Sequence, residues 1–269
     1  IEIPTNHWAA AQDQAEFYRY LLQRRDLTAR AHVGQFFWAT IPTAASTSFQ
    51  QAIWGEAPPP AWGVPRPLPE QIRAMTYLAL ATGYRGLVFR GDADLTSPAG
   101  RAQLIETGFL NEEIDLVESI LAQSSDPIPL FPVFDPNPSE IPPPGSLAGA
   151  RVALVKEYDP KPNYKAAGID FDKRRGVLLL LQDYSNDVQF QPPQLATRNL
   201  VVRATLGEGW ETFELSPGGV DVLGHKRVPG GTAIDVPEFG GTSMILCTGD
   251  MALKDRLETA IMRARPTAV

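Results

Sequence analysis

The stretch from Leu68 to Leu95 constrains the fold more than any other part of the chain. Pro67 and Pro69 open a helix whose first turn carries Glu70, where a carboxylate favours the positive end of the helix dipole. Gly83 stops it, and Gly86-Leu-Val-Phe-Arg90 follows as a short apolar strand. Asp92 and Asp94 stand just past that strand's end. Helix, glycine stop, buried strand and acidic exit form one turn of a parallel α/β architecture, which carries its chemistry at the C-terminal ends of its strands.

Two further units of this kind are legible in the first half. Glu2-Ile3 reads as a strand end followed by Asn6-His7-Trp8, and Asp13 to Arg25 reads as a helix with Phe17, Leu21 and Leu22 on one face. His32 to Thr40 is apolar enough (Val33, Phe36, Phe37, Trp38) for a strand covered on both faces. The segment Ile41 to Pro67 reads as a long loop holding Trp54, Glu56 and Trp62, a length that is usually functional. Asn111 is an expected N-cap for a third helix, with Ile114, Val117 and Leu121 at core spacing.

Composition changes after Gln123. Asp126 to Gly145 holds Pro127, Pro129, Pro132, Pro136, Pro138 and the triple Pro142-Pro-Pro144, a density no helix or central strand tolerates. From Arg151 the period becomes that of strands. They are expected at 151–157, 176–183, 188–191, 199–205, 211–215, 220–223, 232–236 and 242–247, separated by Asn, Asp, Gly and Pro, with no helix between them. That is the pattern of an antiparallel sandwich. Met251 to Ala264 closes the chain as an amphipathic helix on Leu253, Leu257 and Ile261. The expected organisation is α/β units of a partial (β/α) barrel over 1–125, a proline-rich connector over 126–150, an antiparallel β-sandwich over 151–250, and a C-terminal helix over 251–269.

Composition excludes several function classes. The net charge of −7 and the lack of a Lys/Arg run argue against nucleic acid as a partner. One cysteine, Cys247, allows no intrachain disulfide, and its apolar surroundings predict a buried thiol. Three His and one Cys are too few for a zinc-type cluster, so neither metal nor cofactor is expected. No apolar run reaches the roughly 20 residues of a membrane span, and no signal peptide is visible. The chain opens at Ile1 rather than Met, which suggests excision from something longer and leaves the compartment open, bacterial cytoplasm or secreted. The paired glycines at 230–231 and 240–241 read as hairpin turns, and no phosphate-binding loop or nucleophile elbow is present.

In a parallel fold three segments converge on the strand ends: Asn6-His7-Trp8, Trp38-Ala-Thr40 with its long loop, and Arg90-Gly-Asp92-Ala-Asp94. Carboxylates, an Arg, a His and several Trp suit a sugar, because rings stack on pyranose faces and charged groups take the hydroxyls. The candidate catalytic residues are Asp92 and Asp94. The candidate substrate contacts are Trp38, Arg90, His7, Trp8, Trp54, Glu56 and Trp62. Each has a plainer alternative: Asp past a strand is also a turn former, and the aromatics also fill cores. Two positions apart, Asp92 and Asp94 share one face in extended geometry and do not flank a bond from opposite sides, as glycoside hydrolysis requires.

Pro69-Glu-Gln-Ile-Arg73, Tyr77-Leu-Ala-Leu-Ala-Thr-Gly83 and Gly86-Leu-Val-Phe89 resemble the last βα units of glycoside hydrolase-like TIM barrels, of the family-42 β-galactosidase type and related uncharacterised bacterial proteins. The resemblance covers about the first 125 residues by motif and the rest by architecture. It implies a barrel end followed by a small β-sandwich, a carbohydrate ligand, and remaining barrel strands supplied by a longer parent chain. It also implies a nucleophilic Glu at the end of the seventh strand. If 32–40 is that strand, its end reads Gln35-Phe-Phe-Trp-Ala-Thr40, without a carboxylate. A non-catalytic carbohydrate-binding or structural module derived from such a barrel is therefore the rival reading. A self-contained three-stranded domain comes last, because its edges would be open.

Overall fold

The computed structural model describes residues 2–3, 14–31, 36–56, 64–91, 95–124, 128–130, 153–156, 164–172, 175–183 and 196–264. The expected strand 188–191 lies outside them. Two compact units emerge, one from Ile1–Asn111 with Asn186–Pro192, the other from Glu112–Ser185 and Pro193–Val269. The fold is mixed α/β with antiparallel sheets and a C-terminal helix.

The first unit holds a parallel three-stranded sheet in the order β1 (Glu2–Ile3), β2 (Trp38–Pro42), β3 (Gly86–Arg90). These described strands make an open sheet and do not of themselves close a barrel. Helices α1 (Gln14–Ala31) and α3 (Pro69–Ala81) pack on each other, and α3 also packs on β2. The helix α1 extends past the expected Arg25 to Ala31, burying Phe17 and Leu21. At the start of α3 the Gln71 side chain accepts a hydrogen bond from the Leu68 N–H at 2.7 Å, which satisfies a donor the helix cannot. Its far end runs through Thr82 into Gly83 at φ 97°, a left-handed position that favours glycine. Tyr84, fully buried, donates from its hydroxyl to the Leu21 carbonyl at 3.0 Å and so ties α1 to the strand entrance.

Three further expectations change in this unit. The second strand runs Trp38–Pro42 rather than ending at Thr40. Its pairing with β3 starts at Trp38, and Pro42 sits at the strand's last position, where a missing N–H costs least. The segment expected as a long loop contains a helix, α2 (Thr47–Trp54). Asn111 caps nothing: α4 runs Arg101–Ala122, entered through a 3-10 turn at Pro98–Gly100, and Asn111 is an exposed residue in its middle. Ser97-Pro98 is the start signal, with proline at the first position of the turn. Arg73 of α3 and Glu106 of α4 form a bridge at 2.5 Å.

The second unit holds two antiparallel sheets. The larger has the order β10 (Gly219–Val222), β9 (Glu211–Ser216), β13 (Thr242–Thr248), β7 (Gly176–Asp183), β6 (Tyr164–Phe171), β4 (Ile128–Leu130). The smaller is β11 (His225–Val228), β12 (Gly231–Phe239), β8 (Thr197–Ala204), β5 (Ala153–Lys156). Between them lie Val177, Leu179, Leu181, Ile245 and Cys247 from one side and Leu200, Val202, Ile234 and Val236 from the other. The larger sheet is buried on its second face too, through Ile169, Leu178, Leu180, Phe213 and Leu246. That explains the unbroken apolar run Val177-Leu-Leu-Leu-Leu181, which a sheet with one wet face would interrupt with polar residues.

Within the expected connector, Ile128–Leu130 is a strand paired antiparallel with β6. Pro129 is tolerated because β4 is the sheet's edge. Helix α5 (Met251–Ala264) has the expected bounds, buries Leu253, Leu257 and Ile261, and packs on β10. Asp250 caps it, accepting from the Leu253 N–H, and also pairs with Arg175. Cys247 is fully buried, and that burial pushes its thiol pKa well up, out of reach of thiolate chemistry.

Candidate functional site

The register of β2 and β3 brings Pro42 opposite Arg90, so both strands end at the same level. Just beyond, the Thr43 N–H donates to the Arg90 carbonyl at 2.8 Å. Thr43 is fully buried, yet its hydroxyl has no hydrogen-bond partner among the described residues. An unmade bond of this kind costs about 1–3 kcal/mol, so its persistence at a strand end is informative. Gly91 faces it: a Cβ there would stand 2.6 Å from Thr43 Oγ1 and 2.9 Å from the Ala44 nitrogen. Only glycine lets the two exits lie this close.

The chain after β2 is fixed in the same neighbourhood. The Ala45 N–H donates to the Pro65 carbonyl at 2.8 Å, and Gln50 of α2 donates from Nε2 to the Ala45 carbonyl at 2.9 Å. Arg90 is exposed at the end of β3, aligned with the exit that leads to Asp92 and Asp94. Those two residues lie outside the described residues, as do His7, Trp8 and Trp62.

The remaining candidates divide. Trp54 is half-buried at the last position of α2, and Glu56 is exposed in the turn after Gly55, whose φ of 61° favours glycine. Trp38 opens β2 instead of closing it, and so stands at the end of the sheet away from Arg90. Its indole covers Gly86, where a Cβ would meet the ring at 2.7 Å. The structure thus brings Arg90, Thr43 and Gly91 together and leaves Trp38 apart. Sequence reading missed Thr43 and Gln50. The available signal was Thr40-Ile-Pro-Thr43, polar residues flanking a strand's last positions, which the proline obscured.

Among the described residues, no group of three or more His, Cys, Asp or Glu is placed to hold a metal ion. No described helix is long and apolar enough to cross a membrane.

No protein-family model and no curated protein matches the chain. Among solved structures it is similar to the Thermotoga maritima alpha-L-fucosynthase, in a complex with alpha-L-Fuc-(1-2)-beta-L-Fuc-N3. The TM-score is 0.37 at 12% identity, over 80% of this chain and 39% of that one. The chain therefore spans about two-fifths of that protein's length. A likeness this loose carries neither activity nor family, and the family-42 resemblance gains nothing from it.

Proposed function

We propose that this chain is a carbohydrate-active, glycoside hydrolase-like protein that binds or hydrolyses a glycoside at the C-terminal ends of its parallel strands. Arg90 takes sugar hydroxyls there, with Asp92 and Asp94 as the acidic groups and Trp54, Glu56, Trp62, His7 and Trp8 as outer contacts. The observation that carries this reading is the exposed Arg90 at the end of β3, level with the end of β2 and beside the close approach that Gly91 permits. In parallel α/β folds this end of the sheet is where ligands bind. Further barrel strands from a longer parent chain belong to the same reading.

A second reading, a non-catalytic carbohydrate-binding module, draws on one observation. The exit of β2 reads Pro42-Thr-Ala-Ala45 and offers no carboxylate opposite β3. Turnover of a panel of aryl glycosides, with Asp92→Asn and Arg90→Ala beside the parent, separates the two. Hydrolysis that falls at least about a hundredfold in Asp92→Asn supports the enzyme, the scale of losing an acid/base group. Undiminished hydrolysis removes Asp92 from the mechanism. Sugar binding without any turnover selects the second reading.

A further inference from the structure

Helix α4 has two unlike faces. One buries Gln103, Thr107, Leu110 and Val117. The opposite face, read along the first turns, is Arg101, Leu104, Ile105, Gly108 and Phe109, all exposed. Leu104, Ile105 and Phe109 are 42%, 50% and 41% exposed, which puts three large apolar side chains within two turns of one surface. Single exposed apolar residues are ordinary, but a contiguous group of them marks a contact surface. Gly108 stands among them. In a helix interior only proline costs more than glycine, so a mid-helix glycine needs a compensating reason. Packing within the chain supplies none, because a Cβ at Gly108 would meet nothing within 4 Å. What the glycine offers is a hole on an apolar helix surface, which a side chain of a second helix can fill.

Charge identifies that second helix. The apolar group is bounded by Arg101 on its N-terminal side and by Glu112 on its C-terminal side, with Asp115 and Glu118 further along the helix. Turned end over end about a twofold axis, this face complements itself. An antiparallel pairing that seats Ile105 in the partner's Gly108 hole also sets Leu104 against the partner's Phe109 and Arg101 against the partner's Glu112. All three pairs lie symmetrically about one point, between Glu106 and Thr107. A twofold interface requires that reciprocity, since each contact occurs twice. A parallel pairing would instead stack Arg101 on Arg101 and Glu112 on Glu112. An anionic lipid surface is disfavoured by the same carboxylates. We infer that α4 is a self-association surface. Two copies of this chain pair antiparallel through Leu104, Ile105, Gly108 and Phe109, and Arg101–Glu112 ion pairs close both ends. The interface uses none of the strand-end residues and stands whether or not that end binds a sugar.

Sedimentation equilibrium of the whole chain, from about 1 µM to about 1 mM, tests this. A reversible monomer–dimer equilibrium is expected, with a Kd on the order of 50 µM, the weak range of one small interface. Gly108→Gln fills the hole with a good helix former. It should raise the thermal midpoint of the protein and yet weaken the dimer at least about tenfold, a pair of effects that damage to the fold would not give. Arg101→Glu and Glu112→Arg should each weaken the dimer about fivefold by bringing like charges together, and the double reversal should restore the parent's Kd. Within one chain the two residues are about 16 Å apart along the helix, so the restoration reports on the partner. A protein that stays monomeric to about 1 mM overturns the inference. So does a dimer that Gly108→Gln leaves unchanged. A double reversal as weak as the single variants overturns the antiparallel pairing.

Discussion

Two threonines, both fully buried, show how differently the two units treat a hydroxyl. Thr212, in the sandwich, donates to the Leu223 carbonyl at 2.9 Å and also meets His225 Nδ1. Thr43, past the end of a parallel strand, has no hydrogen-bond partner for its hydroxyl among the described residues. An antiparallel sheet turns back on itself, so the strand leaving β10 supplies the carbonyl Thr212 needs. A parallel strand runs out without a neighbour turning back beside it, so no returning carbonyl meets the Thr43 hydroxyl.

The largest test of this contrast concerns packing. Leu179, in the doubly covered β7, is fully buried, whereas Leu87 in the edge strand β3 is only half-buried. Leu179→Ala should cost about 3–5 kcal/mol and Leu87→Ala about half of that or less, measured by urea unfolding. Equal losses would mean that the parallel sheet is covered as fully as the sandwich. Next comes the strand exit. Gly91→Ala forces a Cβ against Thr43 and the Ala44 backbone and should cost about 1–3 kcal/mol. An unchanged melting temperature would show that the exit yields easily and that its close approach is incidental.

The matched threonines give a smaller but sharper comparison. Thr212→Val should destabilise by about 1–2 kcal/mol, because a made hydrogen bond is lost. Thr43→Val, which removes an unpartnered hydroxyl, should be neutral or stabilising. A loss at Thr43 as large as that at Thr212 would show that its hydroxyl is partnered in solution.

The smallest effect is a pH dependence at Glu214 of β9. Burial raises the Glu214 pKa above its ordinary value of 4.5; the Ser243 hydrogen bond lowers it, and the Asp221 charge raises it. A carboxyl raised in the fold contributes stability that is fully present below its ordinary value. That contribution is lost as pH rises through the raised one. The parent should therefore gain stability relative to Glu214→Gln as pH is lowered from 7 towards 4.5. Parallel stability profiles for the two proteins would remove Glu214 as the cause.

Local signals in the sequence were strong where a segment's own residues decide its state. The helix at 251–264 and the strand at 176–183 have the bounds that periodicity and turn residues predict. The strands β6 and β11 were not legible. Tyr164-Lys-Ala-Ala-Gly-Ile-Asp-Phe171 is rich in small residues with weak strand preference, and it is a strand because it pairs with β7 and β4. His225-Lys-Arg-Val228 is charged almost throughout, as suits an edge that must not recruit further strands. Asn111 misled for the converse reason: its capping preference yields to a helix already started at Ser97-Pro98.

By itself, then, the sequence determined the change from helix–strand alternation to short strands, the buried thiol of Cys247, and the level at which β3 ends at Arg90. These follow from periodicity, composition and turn chemistry, all of which act within a few residues. Only the tertiary structure decided that β13 lies between β9 and β7, that Trp38 opens its strand, that Glu214 pairs with Asp221, and that Thr212 meets His225. Strand order and register are set by contacts between residues far apart in the chain, and one residue of register moves a side chain to the opposite face.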